Sequence, residues 1–322
     1  MIEVRNYING KFVATKETIE DINPATGEVI ANIPKSGLNE VKEAANAADL
    51  ARKHWSDFSI KERSLWLDKI ADVLESKSDE LASLESLDTG KPISLAKAVD
   101  ASRSVTNFRF FAEFARNHAE EKFEMEDATN HIILKPVGIA GLITPWNLPL
   151  YLLSWKIAPA IVMGNTVVAK PSELTPLTAN LLAEVIHEVK LPKGVVNIVH
   201  GLGSEVGQAI VEHPKINLIS FTGGTVTGRK VAETAASMFK KLSLELGGKN
   251  ATIVLEDANL DEIIPDVARA GFLNQGQVCL CGSRILISEK IWEDFVSKFV
   301  DYVKSMKVGD PSLDDSDLGA LV

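Results

Sequence analysis

The hydrophobic rhythm of this chain changes near Asn130. Before it, apolar positions recur mostly with a helical period. Val41, Ala44, Ala45, Ala48 and Trp55 share one face of an amphipathic helix. Ser59-Ile60-Lys61-Glu62 reads as a capping box that starts a second helical region. That region runs to Gly90, the residue type suited to a left-handed helix end. A third helix starts near Pro92 and carries Arg103, Phe108, Phe110 and Phe111. Ahead of the helices, Asn6-Tyr7-Ile8 and Lys11-Phe12-Val13 flank Asn9-Gly10, which predicts a type I′ hairpin. A turn at Asn23-Pro24-Ala25-Thr26-Gly27 leads into the apolar Val29-Ile30. Glu120 to Asn130 is polar and reads as an excursion, with a strand resuming at Ile132 to Leu134.

Beyond the excursion, strands and helices alternate. Strands are predicted at Val137–Ile143, Thr166–Ala169, Val195–Val199, Leu218–Phe221, Leu242–Leu246, Thr252–Leu255 and Ile285–Ile287. Helices fit between most of them, at Leu150–Met163, Thr175–Lys190, Ser204–Glu212, Thr227–Phe239, Asp261–Leu273 and Lys290–Val303. Apolar strands alternating with helices predict an α/β fold with a parallel sheet covered on both faces. In such folds function gathers at the C-terminal ends of the strands.

Composition narrows the function classes. A net charge of −10 offers no basic footprint for nucleic acid or an anionic membrane surface. The apolar stretch Leu148–Met163 is broken by Ser154, Lys156 and Pro159, so no membrane span is expected. The two cysteines, Cys279 and Cys281, are one residue apart and cannot build a disulfide framework. With a polar Met1 end that predicts no secretory leader, a cytoplasmic setting is expected. No metal site is expected.

Six stretches carry candidate chemistry, and each has a plainer alternative. In Thr144-Pro145-Trp146-Asn147-Leu148-Pro149, the Asn147 amide can donate to an oxyanion; otherwise it caps a turn. Lys170 and Glu173, in Lys170-Pro171-Ser172-Glu173, can meet the hydroxyls of a ribose, and the carboxylate disfavours a 2′-phosphate. The alternative is a solvated loop. Gly201-Leu202-Gly203-Ser204-Glu205-Val206-Gly207 can bring backbone N–H groups to a phosphate, although its G-x-G-x-x-x-G spacing is one residue longer than the dinucleotide fingerprint. Phe221-Thr222-Gly223-Gly224-Thr225 either lines a cofactor or is a tight turn. Glu245, in Leu244-Glu245-Leu246-Gly247-Gly248-Lys249-Asn250, is a general base if desolvation raises its pKa, or else a surface residue of a strand edge. Cys279 follows Asn274-Gln275-Gly276-Gln277 and is either a covalent nucleophile or a small buried hydrophobe.

Taken in order, Pro-Trp-Asn, Lys-Pro-Ser-Glu, Phe-Thr-Gly-Gly, Leu-Glu-Leu-Gly-Gly-Lys and Asn-Gln-Gly-Gln-Val-Cys resemble the NAD(P)-dependent aldehyde dehydrogenase superfamily. The resemblance runs from the Asn9-Gly10 hairpin to the last residue. It implies that Cys279 attacks an aldehyde, Asn147 and the Cys279 N–H hold the oxyanion, and Glu245 activates the water that hydrolyses the thioester. It further implies NAD bound by Thr144, Trp146, Lys170, Glu173, Gly201, Gly203, Gly207, Phe221, Thr222, Gly223, Gly224, Leu246 and Gly247. Stretches such as Arg103–Phe111, Trp146–Leu153, Glu256–Glu262 and Cys279-Leu280-Cys281 are similar to the muconic semialdehyde branch of the superfamily. The implied substrate is 2-aminomuconic or 2-hydroxymuconic semialdehyde, with Arg103 on its carboxylate; the alternatives are another aliphatic or betaine-type aldehyde, or an inactive NAD-binding fragment. A cysteine hydrolase would need a histidine base, and none of the six histidines lies in a motif that supplies one.

The same resemblance implies an NAD-binding domain from 1–117 and 137–247, an oligomerisation hairpin at 118–136, and the start of a catalytic domain at 248–322. Chains of the superfamily continue well past position 322. The expectation is therefore an incomplete catalytic domain with unpaired edges, little or no turnover by these residues alone, and a dimer or tetramer at full length.

Overall fold

The computed structural model describes residues 1–119 and 121–322; Glu120, where the polar excursion is expected to begin, lies outside the described residues. Strands β1 (Ile2–Glu3), β2 (Asn6–Ile8), β3 (Lys11–Val13), β4 (Thr18–Ile22) and β5 (Val29–Pro34) open the chain. β2 and β3 form the expected hairpin, with Asn9 at φ 52° and Gly10 at φ 73°, the two left-handed residues that a type I′ turn requires. β4 is absent from the sequence expectation because its inward position is filled by a carboxylate, the buried Asp21. With β1 and β5 it makes a separate three-stranded sheet.

Helices α1 (Leu38–Asp57), α2 (Ile60–Ser76) and α3 (Ser78–Thr89) follow. α1 buries the predicted stripe of Val41, Ala44, Ala45, Ala48 and Trp55. The reciprocal Ser59–Glu62 cap opens α2, and Gly90 at φ 70° closes α3. The helix expected from Pro92 is not uniform. A short α4 (Ile93–Leu95) leads into a π-helical turn, Ala96–Ala101, before α5 (Ser102–Asn117). β6 (Glu121–Glu124) and β7 (Thr129–Ile132) then form an exposed antiparallel hairpin. The resumed strand thus ends at Ile132, paired with Glu121, rather than running to Leu134.

The alternating half supplies β8 (Ile139–Ile143), α6 (Pro149–Val162), β9 (Thr166–Lys170), α7 (Leu177–Glu188), β10 (Val196–Ile198), α8 (Gln208–Glu212), β11 (Ile216–Gly223), α9 (Thr225–Ser237) and β12 (Lys241–Leu246). Gly203–Gly207, expected to begin an α-helix, is a second π-helical turn. The strands join β2 and β3 in a seven-stranded sheet of order β12-β11-β8-β9-β10-β2-β3. Its five strands from β12 to β10 run parallel. β8, β9 and β10 are buried along their whole length, as strands covered on two faces must be. Val167 and Ala169 pack in a core shared with α2, α5, α6 and α7, while Val168 points into a second core with α1, α8 and α9.

The order of strands reverses beside β8. The chain steps from β8 to β9 and β10 on one side, then returns with β11 and β12 on the other. A reversal of this kind opens a crevice beyond the carboxyl ends of β8 and β11. The remainder is a small unit in which β13 (Ala251–Val254) pairs in parallel with β14 (Arg284–Ile287), packed on α10 (Leu260–Phe272) and α11 (Trp292–Ser305). No helix among the described residues is long and apolar enough to cross a membrane.

Candidate active site

The crevice at the strand reversal is a cavity of about 350 Å³. Three of its walls come from strand ends. Pro145, Trp146 and Asn147 follow β8, Thr222 to Gly224 follow from β11, and Glu245 to Gly248 close β12. Gly276 to Cys279, from the loop between α10 and β14, form the fourth wall. A larger cavity of about 870 Å³ lies between the Asn23–Thr26 turn, α3 and residues 308–320, and none of the predicted chemical groups lines it.

Cys279 sits in a turn, half-buried, with its side of the loop on the cavity. Its backbone N–H has no hydrogen-bond acceptor among the described residues, whereas its carbonyl accepts from Asn250 Nδ2 at 2.8 Å. The turn before it is held in left-handed backbone at Asn274 (φ 54°) and Gln275 (φ 57°), a conformation that costs energy for a residue with a Cβ. Cys281 is buried, with Sγ 4.0 Å from the Leu273 carbonyl. It lies just before β14.

Asn147 donates one amide hydrogen to Gln277 O at 2.7 Å. An amide nitrogen carries two hydrogens, so one is left for a ligand. Its backbone carbonyl accepts from Asn274 Nδ2 at 3.0 Å. Two backbone loops far apart in sequence are thereby fastened to each other.

Glu245 corrects one expectation. Desolvation is expected there, but the residue is exposed, because β12 is the outer strand of the sheet. It lies beside Thr222 across the β11–β12 pairing. Near it stands a residue that in the sequence only interrupts an apolar run. Lys156, on α6, is buried and donates to Ser220 Oγ at 2.7 Å. Burial pulls its pKa down to about 8, and the charge of Glu245 opposes that pull.

The other predicted cofactor residues gather beside the cavity, at the ends of β9 and β10. Lys170 is no part of a solvated loop. It is buried, donating to Glu173 Oε2 at 2.6 Å and to Pro171 O at 3.0 Å. Burial lowers the pKa of Lys170 with the ion pair opposing; for Glu173 burial is the largest influence and raises the pKa, but the charge and hydrogen bond of Lys170 and the backbone N–H groups of Glu173 and Gly203 together bring it below its ordinary value. Gly203 N–H, expected to face a phosphate, donates instead to Glu173 Oε1 at 3.0 Å. Gly201 is at φ 141°, and a Cβ there would meet Val206 and the Ser36 backbone at 2.7–3.1 Å. A Cβ on Gly224 or Gly247 would meet nothing within 4 Å, so both leave open space where the cavity needs it. Thr144 is buried with its hydroxyl unpartnered, and Phe221 is buried at the end of β11.

Arg103 is not brought to the cavity wall. It is exposed on α5, with its guanidinium 5.6 Å and 5.7 Å from the ring centres of Tyr151 and Trp155 on α6. Leu152, on the same turn of α6, does line the cavity.

A doubly wound sheet thus brings a cysteine, an amide and a carboxylate together at its switch point. Residues 12–322 match the aldehyde dehydrogenase family, and the chain belongs to that family. It is 48% identical over 324 residues to the 2-aminomuconic semialdehyde dehydrogenase of Mus musculus, covering 100% of this chain and 66% of that one. It is 44% identical to the 2-hydroxymuconic semialdehyde dehydrogenase of a Pseudomonas species, covering 100% and 68%. An NAD+ complex of aldehyde dehydrogenase from Bacillus cereus superposes with a TM-score of 0.97 at 38% identity, over 100% of this chain and 66% of that one. The chain thus spans 66% of the length of the mouse relative.

Proposed function

We propose that this chain is the cofactor-binding and nucleophile-bearing part of an NAD-dependent enzyme. The reaction is oxidation of a carboxylate-bearing semialdehyde, of the 2-aminomuconic or 2-hydroxymuconic kind, to the acid. The observation that carries the reading is the convergence of Cys279, Asn147 and Glu245 on one cavity at the strand reversal.

The Cys279 thiolate adds to the aldehyde carbon, and the new alkoxide is held by the free Asn147 hydrogen and the Cys279 N–H. Bound NAD would supply the acceptor for the hydride that leaves as the alkoxide collapses to a thioester. Glu245 then removes a proton from water as the water attacks the thioester carbon. The sulfur departs as thiolate, which restores Cys279 and releases the acid. The residues present fit such a cofactor. Gly224 and Gly247 line the same cavity as Cys279 and add no side chain to it. The ammonium of Lys170 has three hydrogens, two of them accounted for, and the third suits a ribose hydroxyl.

The carboxylate of Glu173 would repel a 2′-phosphate, which is the reason for choosing NAD over NADP. Glu173→Gln is expected to weaken NAD binding roughly tenfold or more, as loss of a charged hydrogen-bond acceptor does. It should also narrow the gap between NAD and NADP. Titration of the chain with each nucleotide by calorimetry tests this, and an unchanged preference would count against the assignment.

The direct test of the reaction is mass spectrometry of Cys279 after incubation with aldehyde and NAD. An acyl mass is expected with both reagents and with neither alone; acylation that survives Cys279→Ser refutes the reading. For the substrate class, Arg103 is the deciding residue. It is an exposed cation with no ion-pair partner among the described residues, on the α6 side of the cavity. Arg103→Ala is expected to slow acylation by a carboxylated semialdehyde about 10- to 100-fold, the range of a lost charged hydrogen bond, while sparing a neutral aldehyde. Equal losses on both would remove the carboxylate role.

The same reading assigns residues 1–117 and 137–247 to the NAD-binding domain, 118–136 to a hairpin for assembly, and 248–322 to the beginning of a catalytic domain. The exposed β6–β7 hairpin suits a homodimer or homotetramer. Two free cysteines suit a reducing cytoplasm.

A further inference from the structure

Directly behind Asn147 the interior holds three ionisable side chains that the reaction above does not use. Lys91, Glu85 and Asp100 are each 0% exposed at their side chains. Lys91 Nζ lies 2.8 Å from Asp100 Oδ2 and 3.7 Å from Glu85 Oε1. It also donates to the backbone carbonyl of Asn147 at 3.3 Å. Burying a charged cluster is seldom the cheapest way to hold helices together, since well-packed apolar side chains do as well or better. The backbone is shaped to admit this one. Asp100 stands on the π-helical turn Ala96–Ala101, a geometry that is rare and tends to mark functional positions. Burial and the charge of Asp100 push Glu85 up to about 8, and Lys91 lies closer to Asp100 than to Glu85.

The Asn147 carbonyl therefore has two donors, Lys91 Nζ and Asn274 Nδ2, while its side chain is tied to Gln277 O. Both the peptide carbonyl and the side-chain amide of Asn147 are thus held by hydrogen bonds. We infer that Lys91 is a positioning residue: from its buried ion pair it holds the Asn147 backbone so that the free amide hydrogen is aimed at the substrate oxygen. This rests on the reading of Asn147 as oxyanion donor.

Two reactions of one thiol separate positioning from mere support. Acetylation of Cys279 by p-nitrophenyl acetate passes through an oxyanion, whereas alkylation by iodoacetamide displaces iodide and builds none. Lys91→Met keeps the unbranched stem and removes the charge and the donor. In the 322-residue chain it is expected to slow acetylation about 10- to 100-fold, up to the loss seen when an oxyanion donor is removed outright. Alkylation should stay within about twofold of the parent chain. Loss of both rates together, or of neither, overturns the inference. If Lys91→Met fails to fold, Lys91→Met with Asp100→Leu removes both charges at once, which a buried pair tolerates better than losing one partner; the same selective loss is expected. On an Asn147→Ala background Lys91→Met should cost nothing further, and an additive loss overturns the inference. Unchanged acetylation in Asn147→Ala alone would sink the oxyanion reading itself. Slow acetylation in Asn147→Ala with normal acetylation in Lys91→Met would sink only the role of Lys91.

Discussion

Cys279→Ser is expected to abolish acyl transfer, with p-nitrophenolate release from an activated ester falling by roughly four orders of magnitude or more, as when a catalytic nucleophile is deleted. The size follows from the surroundings of the sulfur. A thiol ionises near neutral pH and is nucleophilic as the thiolate, but a hydroxyl needs an adjacent base. No histidine lines the cavity, and Glu245 is assigned to the water of the second step, so a serine at position 279 would lack the paired base that a hydroxyl nucleophile needs. Binding of NAD should be unaffected, because Lys170, Glu173 and Gly203 bond among themselves at the ends of β9 and β10. Cys281→Ser is the matched control. That thiol is buried and turned to the Leu273 carbonyl, so its replacement should leave the acylation rate within about twofold. A Cys279→Ser chain that retains a tenth of the parent rate would remove the nucleophile from the proposal, while a loss in Cys281→Ser equal to that in Cys279→Ser would assign the chemistry to the wrong sulfur.

What the sequence made legible is local. Asn9-Gly10, the Ser59–Glu62 cap and Gly90 each answer to backbone rules that act over a few residues, and the structure follows them. The parallel core strands were equally readable, since burial on two faces requires the apolar runs of β8, β9 and β10. Contacts across the fold were not. Nothing in the motif around Glu245 tells that β12 is the outer strand, so its exposure emerged only with the sheet order. Lys170 and Glu173 suggested two hands for a ribose, yet they also hold each other and Gly203. Lys91, Glu85 and Asp100 look like ordinary charges of the helical region until the fold brings Lys91 within 4 Å of both carboxylates. Lys156 did leave a signal, a charge inside the apolar stretch of α6, but only Ser220 and Glu245 give it a purpose.

Glu245→Gln should separate the two halves of the reaction. Glutamine keeps the size of glutamate and its hydrogen-bonding reach but cannot accept a proton from water. The first half, attack by Cys279, makes no demand on position 245, so one equivalent of p-nitrophenolate should still appear rapidly. The second half needs a base, and steady-state turnover should fall about 10²- to 10⁴-fold, the usual weight of general-base catalysis. The acyl group should then accumulate on Cys279, visible as an acetylated mass that the parent chain does not retain. Hydroxylamine, which attacks a thioester without help, should clear that mass and restore the thiol. Rescue of this kind separates a missing base from a distorted site, since a displaced Cys279 or Asn147 would already have slowed the burst. Loss of the burst together with turnover would show that Glu245 shapes the cavity rather than moves a proton. Unchanged turnover would pass the role to another group, with Lys156 next in line, because it is buried beneath Glu245 and its pKa is pulled to about 8.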